Sequence, residues 1–237
     1  MVRVAVVGSG YVGLCTGVVL AEAGHDVTLV DSDARKVAAV GEGRAPFYEP
    51  GLDEALARLR GRIGGTTALP DAVAAAEFTY LCVGTPQGED GRIDLAHVRA
   101  ASADVGRALR RAARGHVVVV KSTVVPGTAD GTVAPEVEAA SGLREGRDFH
   151  VVSNPEFLQE GSALRNARSP DRVVAGGDPA ACRRVLDLHK PGCPEVVVDR
   201  RTAETIKYAA NAFLATKVAF ANEMANVCAR LGVDWYD

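Results

Sequence analysis

Gly8-Ser9-Gly10-Tyr11-Val12-Gly13 is the stretch that decides the fold. A β-branched run, Val2–Val7, leads into it, and Tyr11–Ala23 leaves it with helical spacing, closed by Gly24. The glycine pattern alone is weak. Between a strand and a helix it opens a Rossmann-type dinucleotide-binding unit. Gly8 permits the tight turn, Gly10 lets a pyrophosphate approach the backbone, and Gly13 lets the helix pack on the strand. The opening turn of that helix, with Tyr11 and Val12, offers free N–H groups and the positive end of the dipole to phosphates.

The next strand, Asp26–Val30, ends at Asp31. A carboxylate there accepts hydrogen bonds from an adenosine ribose and repels a 2′-phosphate, which predicts NAD rather than NADP. Lys36 lies one helical turn beyond Ser32, within reach of the same ribose. FAD is the weaker reading, because no second FAD-type motif follows.

Further strands read over Phe78–Val83, His116–Val120, Phe149–Val152, Val173–Ala175 and Glu195–Val198. Helices are expected from Ser32 or Asp33 to Val40, over Asp53–Arg60, from Asp94 to about Ala113, over Thr128–Ala140 and near Pro179–Lys190. Strands alternating with helices predict an α/β fold, a doubly wound parallel sheet with helices on both faces, over residues 1–198. From Thr202 to Leu231 the chain has neither Pro nor Gly and is rich in Ala. That predicts a helix of roughly 45 Å at ~1.5 Å per residue, a linker or dimerisation helix opening a second unit over residues 199–237. Its apolar positions Ile206, Ala210, Phe213 and Val218 suggest a homodimer.

The 237 residues carry a net charge of −3 and are 47% hydrophobic. This balance suits a packed core and argues against nucleic acid or an anionic membrane as partner. Cys15, Cys82, Cys182, Cys193 and Cys228 form no CxxC pair, and Cys15 and Cys82 sit in apolar runs as small buried residues do. The five histidines show no HxxxH spacing, so no metal is expected. With no secretory pattern and no apolar run near the roughly 20 residues that span a bilayer, a soluble cytoplasmic protein is expected.

Seven segments in order make the reading specific. They are Gly8–Gly13, Tyr48-Glu49-Pro50-Gly51-Leu52, Val83-Gly84-Thr85-Pro86, Lys121-Ser122-Thr123-Val124-Val125-Pro126-Gly127-Thr128, Asn154-Pro155-Glu156-Phe157-Leu158, Ser169-Pro170-Asp171-Arg172-Val173-Val174, and Ala203-Glu204 through Lys207 to Asn211 and Phe213. Together they resemble the UDP-glucose/GDP-mannose dehydrogenase family over nearly the whole chain. The resemblance implies NAD-dependent oxidation of a nucleotide-sugar C6 alcohol to the carboxylate in two steps through a cysteine thioester. UDP-glucose to UDP-glucuronate is the first substrate pair it suggests, and GDP-mannose the alternative.

The resemblance also assigns roles. Thr85, Pro86, Thr123 and Glu160 lie by the cofactor, and Thr123 helps to hold a catalytic water. Glu156 acts with that water in acid–base steps, and Glu160 lies near nicotinamide and substrate. Were the segment helical, their spacing would put both carboxylates on one face. Phe157, Leu158 and Gln159 contact the substrate. Lys207 stabilises alkoxide and oxyanion charge, and Asn211, at i,i+4 on the same helix face, hydrogen-bonds the oxyanion or sugar.

Two departures stand out. Gln159 occupies a position where many relatives carry a basic residue. The family's nucleophile lies in a GGxCxxKD-type segment that this sequence does not contain, and Cys228 has no such frame. The chain is therefore expected to be a piece of a longer enzyme. The other reading is a catalytically dead NAD-binding module that works through partners.

Overall fold

The computed structural model describes residues 1–112, 114–189 and 192–236. The helix ends expected at Ala113 and Lys190, and the terminal Asp237, lie outside the described residues. Strands β1 (Arg3–Val7), β2 (Asp26–Val30), β3 (Ile63–Thr66), β4 (Phe78–Leu81), β5 (His116–Val120), β6 (Phe149–Ser153), β7 (Val173–Gly176) and β8 (Glu195–Val198) form one sheet in the order β3-β2-β1-β4-β5-β6-β7-β8. The order reverses between β1 and β4, which opens a crevice at their carboxyl ends, where ligands of such sheets bind.

The helices are α1 (Tyr11–Glu22), α2 (Ala34–Gly41), α3 (Leu52–Arg58), α4 (Leu69–Ala75), α5 (Ala96–Leu109), α6 (Ala134–Ser141, after a π-helical turn over Ala129–Val133), α7 (Ala163–Arg168), α8 (Pro179–Leu186) and α9 (Arg200–Leu231). Alternation along β1 sorts the core: Val4 and Val6 join one buried cluster with Leu14 and Val18 of α1. Ala5 and Val7 join the other with Val98 and Val105 of α5. The valines of β5 are buried on both faces, which is why that strand reads as a continuous apolar run.

The expectation of a wholly parallel sheet is corrected at β7. It meets β6 antiparallel through the single pair Ser153↔Gly176, and β8 then runs parallel to β7. The connection carries only α7, of six residues, about 9 Å at ~1.5 Å per residue. A five-residue strand such as β6 spans about 16 Å at ~3.3 Å per residue. The short helix, which packs on α1, does not carry the chain back along the sheet.

Strand β3 and the start of α9 are among the departures from the sequence reading. Strand β3 was not foreseen because Gly64 and Gly65 replace the β-branched residues that mark strands. A Cβ at Gly65 would lie 2.9 Å from the carbonyl oxygen of Val37, so the close seat of α2 requires glycine. Helix α9 begins two residues before Thr202, capped by Asp199, whose Oδ1 accepts the Thr202 N–H at 2.9 Å. Its 32 residues span about 48 Å. Only Ala203, Glu204 and Lys207 of it are buried. Among the described residues no helix is long and apolar enough to cross a membrane.

Candidate active site

The crevice beside β1 is a cavity of about 780 Å³ lined by Gly8, Gly10, Tyr11, Val12, Asp31, Lys36, Thr85 and Thr123 among others. Gly8 has φ +99°, and a Cβ there would sit 2.6 Å from the Cys82 carbonyl oxygen. At Gly13 a Cβ would lie 1.8 Å from the Gly8 oxygen, whereas at Gly10 it would meet nothing within 4 Å. Two glycines are thus fixed by the protein's own packing. The third leaves open space at the amino end of α1, a cradle that fits a pyrophosphate.

Asp31 closes the far side. It accepts Ser9 N–H at 2.9 Å, Ser9 O–H at 2.6 Å and Asp33 N–H at 3.0 Å, and Lys36 Nζ stands 3.7 Å away. Burial works to raise its pKa, but the hydrogen bonds and Lys36 outweigh it and hold the carboxyl below its ordinary range. An ionised acceptor at the end of β2 suits a ribose and opposes a 2′-phosphate. These residues fit NAD. Pro86 is exposed and does not line the cavity; its carbonyl accepts the Asp94 N–H at 2.8 Å.

Thr85 and Thr123 carry the cleft toward the second half of the site. Thr85 Oγ1 donates to the Thr123 carbonyl at 2.8 Å. Thr123 lines both the large cleft and a small pocket shared with Lys207, and its hydroxyl donates to Glu156 Oε1 at 3.4 Å. Lys207 Nζ lies 2.8 Å from the same oxygen. Glu156 Oε2 accepts the Leu158 N–H at 2.5 Å. The Phe157 ring lies under the Arg172 guanidinium at 4.0 Å and 5.6 Å from Lys207 Nζ. One carboxylate therefore gathers a hydroxyl, an ammonium and a backbone amide next to the cleft.

Glu156 and Glu160 do not share a helix face. Residues 154–159 are irregular, because Pro155 pushes Asn154 out of the α region and Glu156 folds back on the Leu158 amide. Gln159, at the end of that segment, and Glu160, in the following turn, stand exposed, with the Gln159 N–H donating to Asn166 Oδ1 at 3.2 Å. Leu158 packs against the core beside α1. Asn211 is exposed on α9, one turn beyond Lys207.

Sequence reasoning missed three buried polar groups. Lys121 Nζ donates to Asn154 Oδ1 at 3.0 Å, and Asn154 Nδ2 donates to the Val174 carbonyl at 2.7 Å. Burial lowers the Lys121 pKa, opposed by Cys82 and Glu156. Glu204 accepts the Gly127 and Ala129 amides and the Ser153 hydroxyl; burial nonetheless raises its pKa. Glu49, the third, is taken up below. All three sit inside quoted segments. For Lys121 and Glu49 the signal was a charged residue beside apolar neighbours; Glu204, between Arg201 and Lys207, carries no such signal.

The thiols fit the buried reading. Cys15, Cys82 and Cys182 are buried and free, and burial pushes Cys15 and Cys82 to about 12, far from a nucleophilic thiolate. Among the described residues no group of three or more His, Cys, Asp or Glu is placed to hold a metal.

This sheet order and glycine cradle define a Rossmann-type NAD-binding domain. Residues 2–191 match the NAD binding domain of the UDP-glucose/GDP-mannose dehydrogenase family, and residues 201–237 match that family's central domain. The chain belongs to the UDP-glucose/GDP-mannose dehydrogenase family. It is 41% identical over 240 residues to UDP-glucose 6-dehydrogenase AglM of Haloferax volcanii, covering 98% of this chain and 56% of that protein. It is 41% identical over 236 residues to GDP-mannose 6-dehydrogenase of Azotobacter vinelandii, covering 98% and 54%. A UDP-glucose dehydrogenase structure from Pyrobaculum islandicum superposes with a TM-score of 0.94 at 46% identity, over 100% of this chain and 55% of that one. The chain spans about half the length of the curated relatives it matches.

Proposed function

We propose that the protein carrying this chain oxidises the C6 alcohol of a nucleotide-linked hexose to a carboxylate, with UDP-glucose as substrate and UDP-glucuronate as product. The observation that carries this reading is the Thr123–Glu156–Lys207 cluster at the edge of the cofactor cleft. NAD⁺, when bound, supplies the two-electron acceptor for each of two oxidations. In the first, Glu156, directly or through a water held with Thr123, takes the hydroxyl proton, and Lys207 stabilises the alkoxide. In the second, a cysteine outside these 237 residues adds to the aldehyde to give a thiohemiacetal whose oxyanion Lys207 and Asn211 hold; once this has lost its hydride to the acceptor a second NAD⁺ would supply, Glu156 activates the water that cleaves the resulting thioester to the carboxylate and frees the thiol. Glu160 closes the site between cofactor and sugar, and Phe157, Leu158 and Gln159 line the sugar. The NAD-binding unit covers residues 1–198, and α9 begins a second unit through which two copies pair.

GDP-mannose is the second substrate, favoured by the equal identity to a relative named GDP-mannose 6-dehydrogenase. Steady-state assay of the whole protein with both nucleotide sugars separates the two. Two NADH formed per UDP-glucose consumed is the expected result, and NADH formed only with GDP-mannose replaces the first substrate by the second.

A further inference from the structure

Glu49 is 4% exposed, and among the described residues no cation lies within ion-pair distance of it. A buried carboxylate needs partners of another kind. Its Oε2 accepts the Gly161 N–H at 3.0 Å and its Oε1 the Leu164 N–H at 3.2 Å. Those donors belong to the turn after Glu160 and the first turn of α7. The helix's own N-cap residue, Ser162, makes no side-chain cap bond; its hydroxyl lies against Gln159 O and Asn166 Oδ1 instead. The cap comes from more than a hundred residues away.

The same loop grips the cofactor side. The Phe47 ring lies on the Tyr11 ring with centroids 4.0 Å apart, and the Tyr11 hydroxyl donates to the Tyr48 carbonyl at 3.3 Å. Tyr11 is the first residue of α1 and lines the cleft. Pro46 and Pro50 flank the strap and fix two of its φ angles. The Glu49 carbonyl accepts the Leu52 N–H at 3.1 Å to start α3.

We propose that Glu49 is a positioning residue, which tethers the turn after Glu160 and the start of α7 to the opening of α1 and so sets the preceding loop, which carries Glu156, against the cofactor cleft. Its meaning for catalysis rests on the function proposed above; the tether itself does not. Both carboxylate oxygens are used, each by its own N–H. An amide offers one acceptor and turns a donor toward a donor, so Glu49→Gln keeps the volume and breaks the clamp.

The test compares wild-type whole protein with Glu49→Gln and, at the strap's other end, Tyr11→Phe. Amide hydrogen exchange of residues 158–166 reads the tether; kcat, KM for UDP-glucose and Kd for NADH read its consequence. Glu49→Gln is expected to speed exchange at Gly161 and Leu164 at least tenfold while β1 and β5 stay protected. It should raise the sugar KM about tenfold and leave the NADH Kd within twofold. Tyr11→Phe should move exchange the same way by a smaller factor, which keeps the idea testable if Glu49→Gln fails to fold. Unchanged exchange in the turn overturns the tether. Faster exchange with unchanged KM and kcat leaves a local cap and overturns the positioning role. A wild-type protein that oxidises no nucleotide sugar sinks the proposed function, and exchange alone then decides for or against the tether.

Discussion

Lys207 Nζ sits 2.8 Å from Glu156 Oε1, with only 8% and 9% of the two side chains exposed. Helix α9 thus enters the NAD-binding sheet with its one buried cation already paired to a carboxylate from the loop after β6. Breaking such a pair by removing one partner leaves an uncompensated buried charge, typically at a cost of about 3–5 kcal/mol. We therefore expect Glu156→Gln and Lys207→Met each to lower denaturant stability by at least ~2 kcal/mol. The double variant should lose less than the sum of the two. Additive losses in a double-mutant cycle would show the two groups to be uncoupled.

The cradle glycines give opposite expectations. Gly10→Ala meets no atom within 4 Å and sits at φ −75°, so stability should change by less than about 0.5 kcal/mol. NADH affinity should nevertheless fall at least tenfold, because the methyl takes the space of the pyrophosphate. Gly13→Ala would place Cβ 1.8 Å from the Gly8 oxygen and should destabilise the fold itself. In the unaltered chain NADH should bind more tightly than NADPH, since Asp31 is ionised where a 2′-phosphate would lie. Titration of NADH and NADPH fluorescence, paired with thermal melts, reads all three; equal NADPH affinity contradicts the role given to Asp31.

His116 titrates against stability. It is buried, shares a 2.9 Å hydrogen bond with Thr79, and burial pushes its pKa from 6.5 down to about 4. Burial likewise takes His189 to about 3. Between those values and 6.5 the unfolded chain binds more protons than the folded one, so this stability is fully present above about pH 6.5 and is lost as the pH falls. Each histidine contributes a slope of up to ~1.4 kcal/mol per pH unit. Urea unfolding at pH 7 and pH 5 should show the loss, and His116→Gln should flatten it. Equal midpoints at both pH values contradict the buried neutral state.

Beyond Lys207, α9 presents Phe213, Leu214, Val218 and Phe220 at 51–67% exposure. At ~100° per residue Val218 falls about 120° from Ile206, so the stripe is centred on Ile206, Ala210, Phe213 and Phe220 rather than including Val218. A two-fold pairing along that stripe is the expected association. Light scattering at tens of micromolar, on the order of concentrations where weak dimers form, should give a dimer, and Phe213→Glu with Phe220→Glu a monomer. A monomeric unaltered chain counts against pairing through α9.

The sequence announced what local rules govern. The glycine turn, the β1–α1–β2 unit, Asp31 and the valine-only core of β5 were all legible because each is a short-range pattern. Strand β3 was hidden by Gly64 and Gly65, and at Gly65 the reason is a close contact with Val37. The reversal of β7 depends on how far α7 reaches, a length the residues do not state. Glu156 and Lys207 were picked out by resemblance; that they touch was not readable, being a contact across fifty residues. The helical arrangement that would have put Glu156 and Glu160 on one face does not form, because residues 154–159 are irregular.

Under the proposed function Lys207 acts on the reacting oxygen, and kcat and NADH Kd for Lys207→Ala in the whole protein with UDP-glucose and NAD⁺ test this most directly. A charged donor used chiefly when oxygen charge develops should be missed in kcat, by about 10²–10³-fold, with NADH affinity nearly unchanged. A Lys207→Ala enzyme with near-normal kcat would contradict the account and leave Lys207 as a structural partner of Glu156 alone.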